Sequence, residues 1–180
     1  MRRQIFTFVA LLCLSLCTAM QAGAQAKAPS EYAVKAAFLY NFTKFVEWPP
    51  DALDEKDTLL QICVIGESPF GDELENTIEG KKVDGKSVTI AYAQSAKEAL
   101  SYDVVFVARS EESSLDRILK KLTTRAILTI SDIDDFAERG GTIGFFVEDK
   151  RIRFKINVDV AEESGLQISS KLLRLARIVD

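Results

Sequence analysis

The sequence contains no histidine, and cysteine is almost as scarce, with three residues in a chain of 180. Without an imidazole the chain has no histidine-based triad, no histidine general base and none of the usual zinc ligand sets. Cys13 and Cys17 lie near the start, which leaves Cys63 alone in the remainder of the chain. A single cysteine forms no internal disulfide. We therefore expect no disulfide, no metal site, no cofactor and no catalytic residue.

Positive charge is also in short supply. Lys and Arg number 23 against 27 Asp and Glu, a net charge of −4. Removal of the first 24 residues takes away two arginines and no acidic residue, which leaves 21 basic residues and a net charge of −6. Nucleic-acid binding relies on clustered Lys and Arg, whereas here the basic residues are scattered. The sequence therefore predicts no nucleic-acid partner.

The one long apolar run stands at the start, where IFTFVALLCLSL follows two arginines. A basic start, a short apolar stretch and the small-residue site Ala22-Gly23-Ala24 are typical of a secretory signal peptide. The run is too short to span a bilayer comfortably, so the cleaved protein is not expected to be embedded in a membrane. Cleavage after Ala26, a lipoprotein signal at Cys17 and an uncleaved anchor are the alternatives. We predict a signal peptide over 1–24 and one domain over 25–180.

Apolar stretches that alternate with helical patterns organise the rest of the chain. A helix is predicted to begin at Ser30, a good N-cap, and to stop at Trp48-Pro49-Pro50. Ser110 is expected to cap a second helix, EESSLDRILKKL (111–122). Buried strands parted by helices indicate a mainly parallel sheet that is covered on both faces. The predicted strands are LLQICVIG (59–66), SVTIAYA (87–93), DVVFVA (103–108) and AILTI (126–130).

The pattern changes after Gly140-Gly141. TIGFFVEDKRIRFKIN (142–157) predicts two strands around the turn Glu148-Asp149-Lys150. An amphipathic helix is then expected from about residue 169 to the end. The predicted fold class is α/β: a single-domain three-layer sandwich with a mainly parallel sheet, a C-terminal antiparallel hairpin and helices on both faces.

Residues 80–87, GKKVDGKS, match the phosphate-binding loop pattern G-x-x-x-x-G-K-[ST]. Such a loop needs a strand before it and a helix after it, so that the helix N-terminus faces the phosphates. Here the helical pattern DELENTIEG precedes the match, and the strand SVTIAYA follows it. We interpret Gly80 as the end of a helix and Val83-Asp84-Gly85-Lys86 as a turn, and we expect no nucleotide binding.

Small and polar residues follow three predicted strands, and ligands of open α/β sheets bind at such strand ends. Loop chemistry and helix capping are the alternative interpretation of the same residues. The acidic residues Asp132, Asp134 and Asp135 are open to a metal interpretation, but acids at a helix start are usually partners of the helix dipole. The ligand-binding candidates are Gly66, Glu67, Ser68, Arg109, Ser110 and Ser131.

The C-terminal segment carries more apolar residues than one helix face needs. Leu166 and Ile168 precede the predicted helix, and Leu173 lies off its apolar stripe, which is assigned to the core and consists of Leu172, Leu175, Ala176 and Val179. Apolar groups rimmed by charge often mark an interface, and Arg174 and Arg177 are part of that rim. We expect these five residues to contribute to a partner or dimer contact. The alternative is that the hairpin covers the apolar ones.

Four segments, in order along nearly the whole domain, carry a resemblance to a known family. They are AVKAAFLYNFTKFVEWP (33–49), ICVIGESPFG (62–71), LTISD (128–132) and GGTIGFFVEDKRIRFKINVDVAEESGLQISSKLLRLARIV (140–179). Together they resemble the YfiR family of bacterial periplasmic proteins. The resemblance implies a periplasmic inhibitor that holds the periplasmic domain of a membrane-bound, YfiN-type diguanylate cyclase inactive. Its release would raise cyclic di-GMP and favour biofilm formation.

The resemblance also implies an outer-membrane lipoprotein that sequesters the inhibitor, and the same domain occurs as a sensory module on membrane kinases. Some members of the family carry a disulfide from a cysteine in the first-strand motif. Cys63 stands at that kind of position, but Tyr102-Asp103-Val104 holds no partner for it. Redox control through such a bridge is therefore not expected here.

Three functions remain to be weighed. The first is a periplasmic regulator that works by protein contact, possible homodimers included. The second is a small-molecule sensor domain that acts on a membrane kinase or another receptor. The third is a hydrolase that uses Asp132, Asp135 or Glu148, and the lack of an activated nucleophile argues against it. The sequence favours the first and predicts that the chain is not an enzyme.

Overall fold

The computed structural model of the protein describes residues 28–50, 52 and 58–180. The predicted signal peptide, 1–24, lies outside the described residues. The strands of the described part are β1 (Val46–Glu47), β2 (Leu59–Ile65), β3 (Lys82–Val83), β4 (Lys86–Ala93), β5 (Val104–Val107), β6 (Leu128–Ser131), β7 (Ile143–Glu148), β8 (Arg151–Asn157), β9 (Gln167–Ile168) and β10 (Arg177–Val179).

Eight of these strands form one mixed sheet in the order β10-β8-β7-β6-β5-β2-β4-β3. Its centre is parallel: β2 lies between β4 and β5, and β6 links β5 to β7. Strands β3 and β8 run antiparallel to β4 and β7, and β10 is parallel to β8. The predicted α/β fold, with its mainly parallel sheet and antiparallel hairpin, is confirmed.

Helices cover both faces of this sheet. They are α1 (Glu31–Phe42), α2 (Glu73–Ile78), α3 (Ala96–Ala99), α4 (Leu115–Leu122), α5 (Val158–Glu163) and α6 (Ser170–Leu173), with a 3-10 helix at Arg109–Ser114. One apolar core lies under α1, α2, α5 and α6, and a second lies under α3 and α4. Because β2, β5 and β6 are buried on both sides, their sequences are mostly apolar, as is typical of parallel strands, with Gln61, Thr129 and Ser131 as the polar exceptions.

Helix α1 begins where the sequence predicts, because the Ser30 hydroxyl accepts a hydrogen bond from the Ala33 N–H at 3.1 Å. It ends earlier than expected, at Phe42 rather than at Trp48. The next residues turn and form β1, which pairs antiparallel with β9. The helical spacing of apolar residues continues past Phe42 to Val46. Val46 is buried, but as a residue of β1 and not of the helix.

Two tight hairpins confirm the turns expected from the sequence. Between β3 and β4, Asp84 and Gly85 have φ values of 48° and 83°. Between β7 and β8, Asp149 and Lys150 have φ values of 50° and 60°. Two successive positive φ values are the pattern of two-residue hairpin turns whose twist matches the strands. The segment 80–87 is therefore a helix end followed by a hairpin, not a strand followed by a helix.

The predicted C-terminal helix is wrong in its extent. Only α6 is helical, and the chain then extends into β10, which pairs with β8. Leu175, which the helix prediction assigned to the core, is 70 % exposed. Apolar residues at 172, 175, 176 and 179 fit helical spacing. As a strand, however, residues 177–179 form backbone hydrogen bonds with the edge of β8, which a helix would leave unpaired.

The helix after β5 also differs from the prediction. A 3-10 helix over Arg109–Ser114 precedes α4, and Ser110 caps neither of them. Its hydroxyl accepts a hydrogen bond from the Glu67 N–H at 2.9 Å, in the loop that follows β2. Ser110 therefore ties two strand ends together rather than starting a helix.

Candidate functional site

The ligand-binding candidates do come together at one edge of the sheet. Strands β2, β5 and β6 are neighbours and parallel, so the residues after them meet at the carboxyl edge. Gly66, Glu67 and Ser68 follow β2, Arg109 and Ser110 follow β5, and Ser131 ends β6. The sequence therefore placed these six candidates correctly at one edge.

Most of their polar groups are bonded to one another or to the backbone. The Ser131 hydroxyl donates to the Val107 carbonyl at 2.6 Å and accepts from the Ile133 N–H at 3.0 Å. Gly66 has a φ of 87°, and a Cβ there would lie 2.4 Å from the Ser110 Oγ, so the two loops touch closely. Ser68 accepts a long bond, 3.5 Å, from the Phe70 N–H. These contacts hold the strand ends together and leave few groups for a ligand.

The same edge contains a buried charged network that sequence reasoning missed. Lys35 of α1 is 3 % exposed, and its Nζ lies 2.5 Å from Asp132 Oδ2, just after β6. The Lys35 Nζ also lies 2.5 Å from Glu31 Oε1, one turn earlier on α1. Tyr32 donates from its hydroxyl to Asp132 Oδ2 at 2.9 Å. The network therefore ties the first turns of α1 to the carboxyl edge of the sheet.

Burial and hydrogen bonding compete in setting the pKa values of this network. Burial lowers the pKa of Lys35, but hydrogen bonds to Asp132 and Glu31 outweigh it, so that the pKa lies above its usual 10.5. Burial, followed by the hydrogen bond to Asp132, raises the pKa of Tyr32 above its usual value. Lys35 is therefore charged and Tyr32 is protonated at neutral pH.

One oxygen of the network has no hydrogen-bond partner within the described residues. Asp132 Oδ1 is buried, and the Nε of Arg109 lies 3.7 Å from it. Arg109 instead donates to Asp134 Oδ1 at 3.0 Å and to the carbonyl of Asp132. Burial lowers the pKa of Arg109, but the hydrogen bond to Asp134 and the charges of Asp132 and Asp134 outweigh it, so that the pKa lies above its usual value. Asp132 and Asp134 thus pair with Lys35 and Arg109, and Asp135 pairs with Lys155 at 3.4 Å.

A sequence signal for Lys35 does exist. Lys35 stands directly before Ala36 and four residues before Leu39, on the side of α1 that the structure buries. A lysine among buried apolar positions needs an acidic partner. Nothing in the pattern says that the partner is Asp132, which lies 97 residues further along the chain.

The predicted partner surface forms part of a cavity of about 450 Å³ beside α5, β9 and α6. Ile168 and Leu173 line it and are partly buried against the core. The expectation that Leu166 is a surface residue is wrong, since it is 1 % exposed. Gly165, with a φ of 79°, ends α5, and the Leu166 N–H bonds back to the Ala161 carbonyl at 2.8 Å. That bond turns Leu166 inward, where it also lines the cavity. We call this cavity the C-terminal groove.

The two arginines of the predicted rim lie apart from each other. Arg174 caps the end of α6 and is exposed. Arg177 donates to Glu148 Oε1 at 2.7 Å, and its guanidinium lies 4.6 Å from the ring centre of Phe146. Arg177 therefore braces the hairpin of β7 and β8 rather than the C-terminal groove.

Other features of the described residues bear on the function. Among residues 28–50, 52 and 58–180, no group of three or more Cys, Asp or Glu side chains is placed to hold a metal ion. None of the helices in that part of the chain is long and apolar enough to cross a bilayer. Cys63 is fully buried, and burial raises the pKa of its thiol to about 11.

Two solved structures are similar in fold. A conserved domain protein from Vibrio cholerae O1 biovar El Tor str. N16961 matches 84 % of this chain with a TM-score of 0.58 and 13 % identity. The ABC domain in complex with L-Trp from Streptococcus pneumonia matches 72 % of this chain with a TM-score of 0.51 and 14 % identity. The matched regions span 60 % and 58 % of those two chains. At such identities the likeness shows the fold alone.

The comparison with families reaches further, because it covers almost the whole described domain. The profile of a family described as YfiR/HmsC-like matches residues 32–177, from the first turn of α1 into β10. The match includes every segment on which the resemblance rests apart from a few terminal residues. The chain therefore belongs to the YfiR/HmsC-like family, a regulatory and non-catalytic family of periplasmic proteins that act in diguanylate cyclase signalling.

Proposed function

We propose that this protein is a periplasmic inhibitor that binds the periplasmic domain of a membrane diguanylate cyclase through the C-terminal groove. Release of the inhibitor would then activate the cyclase, raise cyclic di-GMP and favour biofilm formation. The observation that carries the proposal is the groove itself: a concavity with both apolar and polar walls in a domain whose family acts in cyclase signalling.

The chemistry of the groove suits an apolar side chain of a protein partner. Its walls come from Val158, Ile168 and Leu173, with Leu166 beneath them and Glu162 at the side. Apolar anchors that fill such pockets contribute most of the binding energy of many interfaces, while charged residues at the rim add little. An anchor of about Leu or Phe size that loses its exposed surface there would contribute about 2 kcal/mol or more.

The test replaces Leu173 by Glu and measures capture of the periplasmic domain of a YfiN-type membrane diguanylate cyclase from the source organism. Leu173→Glu puts a charge into the groove and should weaken binding at least about tenfold. Leu175→Glu is the matched control, because Leu175 is two residues away, 70 % exposed and not part of the groove. It should bind as the wild type does.

Circular dichroism and thermal unfolding of both variants accompany the binding assay. Normal binding by folded Leu173→Glu would place the interface elsewhere. Equal losses in Leu173→Glu and Leu175→Glu would mean that added negative charge, not the groove, weakens binding. A sequestering outer-membrane lipoprotein or a second copy of this chain could use the same groove. Binding of Leu173→Glu and Leu175→Glu to each of these partners, measured in separate assays, shows which partners depend on the groove.

A second candidate function is a small-molecule sensor, and one observation favours it. Asp132 Oδ1 is a buried carboxylate oxygen without a hydrogen-bond partner among the described residues. Such a group is costly unless a donor satisfies it, and a ligand with an N–H or O–H group could do so. A thermal-shift screen of small polar molecules tests this function. A ligand that stabilises the wild type but not Asp132→Asn supports it, and a screen without any such ligand argues against it.

A further inference from the structure

A second cavity, of about 450 Å³, lies on the opposite side of the sheet from the C-terminal groove. Helices α3 and α4 form it, and their apolar core is separate from the core under α1, α5 and α6. Four of its six lining residues are cations, in a protein whose net charge is −4. We call it the cationic groove, and its lining residues are Lys97, Leu100, Arg117, Lys120, Lys121 and Thr124.

None of the four cations makes an ion pair within the part of the chain that the structure describes. Arg117 donates to the Ser114 hydroxyl at 2.8 Å, which leaves its charge without an acidic partner there. The acids closest in sequence are engaged elsewhere. Asp116 accepts from Arg139 at 2.8 Å, and Glu98 accepts from the Ser95 hydroxyl and the Gln94 N–H of the α3 N-terminus. The groove therefore keeps its positive charge.

Helix capping does not account for this cluster. Lys120 and Lys121 lie in the last turn of α4, where cations interact favourably with the helix dipole. Arg117 lies earlier in α4, four residues before Lys121, and like charges at that spacing destabilise a helix. Lys97 comes from a different helix, α3. Lys97 lies in the last turn of α3, so the helix dipoles favour Lys97, Lys120 and Lys121 one by one, but they do not explain why these three cations and Arg117 line one groove.

We propose that the cationic groove binds an acidic segment of a protein partner, with an apolar side chain of that segment seated on Leu100. Leu100 is partly buried and forms an aliphatic floor, together with the carbon chains of the lysines around it. Carboxylates beside the seated side chain would meet Lys97 on one wall and Lys120 and Lys121 on the other. Complementary charge of this kind steers association and fixes the register of a bound segment.

Two other anionic partners fit the groove less well. Compact phosphate groups bind largely through backbone N–H groups at helix N-termini, whereas this groove lies at the C-terminal ends of α3 and α4, where an anion depends on the cationic side chains alone. A membrane surface is recognised by apolar side chains that insert between lipids, whereas Leu100 lies within a concavity and does not project. The spread of four cations around an apolar floor suits several separate carboxylates on an extended segment.

The experiment uses the mature protein and a short fluorescent peptide in which Glu and Asp alternate with Leu. Fluorescence anisotropy gives the affinity of the peptide for the wild type and for Lys120→Glu/Lys121→Glu. We expect the double variant to bind at least about tenfold more weakly. Lys81→Glu/Lys82→Glu is the matched control, since both lysines are exposed at the β3 edge of the sheet, neither lines the groove, and the charge change is the same. It should change the affinity by less than about threefold.

Further measurements show whether the acidic groups of the peptide and the cationic groove are responsible for binding. A peptide with Gln and Asn in place of Glu and Asp should bind at least about tenfold more weakly, and amide NMR shifts caused by the acidic peptide should cluster around Leu100 and Thr124. If charge reversal unfolds α4, Lys120→Gln/Lys121→Gln repeats the test without adding negative charge. Leu173→Glu should bind the peptide normally, which separates this result from the function of the C-terminal groove.

Several results would overturn the proposal. Equal losses in the two charge-reversal variants would show diffuse attraction rather than a site. Undetectable binding of the acidic peptide, or equal binding of its neutral analogue, would remove the acidic segment as the occupant. Binding to phosphatidylglycerol vesicles that exceeds binding to the peptide and depends on Lys120 and Lys121 would assign the groove to membranes instead.

Discussion

The two faces of the sheet hold their helices by different means. On the α1 face, all seven aromatic ring pairs of the described residues meet, including Phe42 with Phe154 at 4.9 Å and Phe70 with Phe106 at 4.8 Å. The same face contains the buried pair of Lys35 and Asp132. On the α4 face the buried core is aliphatic apart from Phe136, and its contacts are those of small and branched side chains.

This difference shows which contacts fix the position of each helix on the sheet. Apolar side chains tolerate small shifts, because burial depends on area and not on direction. A buried ammonium group tolerates few, because its charge must stay within hydrogen-bond distance of its partners. Lys35 thus defines where α1 lies on the sheet, whereas α4 is placed by the fit of its four buried residues, Leu115, Ile118, Leu119 and Leu122.

The largest expected effect comes from breaking the charged network on the α1 face. Lys35→Ala leaves the Asp132 carboxylate buried without its ammonium partner and should lower the free energy of unfolding by about 3–5 kcal/mol. Urea unfolding followed by circular dichroism measures it. The double variant Lys35→Met/Asp132→Leu removes both charges and should cost much less. Asp116→Ala breaks an exposed pair with Arg139 and should cost at most about 1 kcal/mol. A loss of less than about 1 kcal/mol for Lys35→Ala would refute the conclusion that the charged network fixes the position of α1.

The next effect tests the α4 face. Leu122 is fully buried, so Leu122→Ala removes apolar contacts and opens a cavity, at a cost of about 2–4 kcal/mol in unfolding free energy. The same urea titration applies. Leu175→Ala, at a position 70 % exposed, is the control and should change stability by less than about 0.5 kcal/mol. Similar losses at both positions would mean that α4 does not depend on close packing.

Alkaline pH should separate the two faces further. The pKa of Cys63, on the α4 face, is raised from 9.0 to about 11, so the unfolded chain ionises first and the contribution of this thiol to stability falls between those pH values. Lys35, with a pKa raised above 10.5, contributes stability below 10.5 and loses it as pH rises through its folded pKa. Unfolding measured from pH 9 to about 11 should therefore show a steeper decline for the wild type than for Cys63→Ala.

Slow reaction of native Cys63 with a thiol reagent at neutral pH gives an independent check, since a buried thiol of raised pKa is unreactive. Labelling as fast as that of a free thiol, or a covalent dimer on a non-reducing gel, would show that the thiol is accessible.

The smallest expected effect concerns the segment 80–87. Because its glycines belong to a helix end and a hairpin turn, calorimetry should detect no ATP or GTP binding by the wild type. Lys86→Ala should leave the calorimetric trace unchanged. Measurable affinity that disappears in Lys86→Ala would show that the match is functional.

The sequence predicted the parts of the fold that depend on neighbours along the chain. The turn residues at 84–85 and 149–150 identify both turns, and period-two alternation identifies the β7–β8 hairpin, because these conformations are local properties, whereas the two-residue strand β3 was not predicted. The edge position of the six ligand candidates also followed, since parallel strands end at one edge. The C-terminal helix was mispredicted because Leu172, Leu175 and Ala176 fit helical spacing. Spacing along the chain does not reveal that β8 has a free edge with which the last residues pair.

The sequence by itself determined the order of the longer strands, β2 and β4 to β8, the family, and which stretches are apolar enough to form the sheet. Only the tertiary structure decided that Lys35 pairs with Asp132, that Leu166 turns inward, and that 177–179 completes the sheet. The physical reason is one of range. Helix caps, turns and alternation are settled by backbone geometry within a few residues, whereas a buried charge and a free strand edge are satisfied by groups that only folding brings into reach.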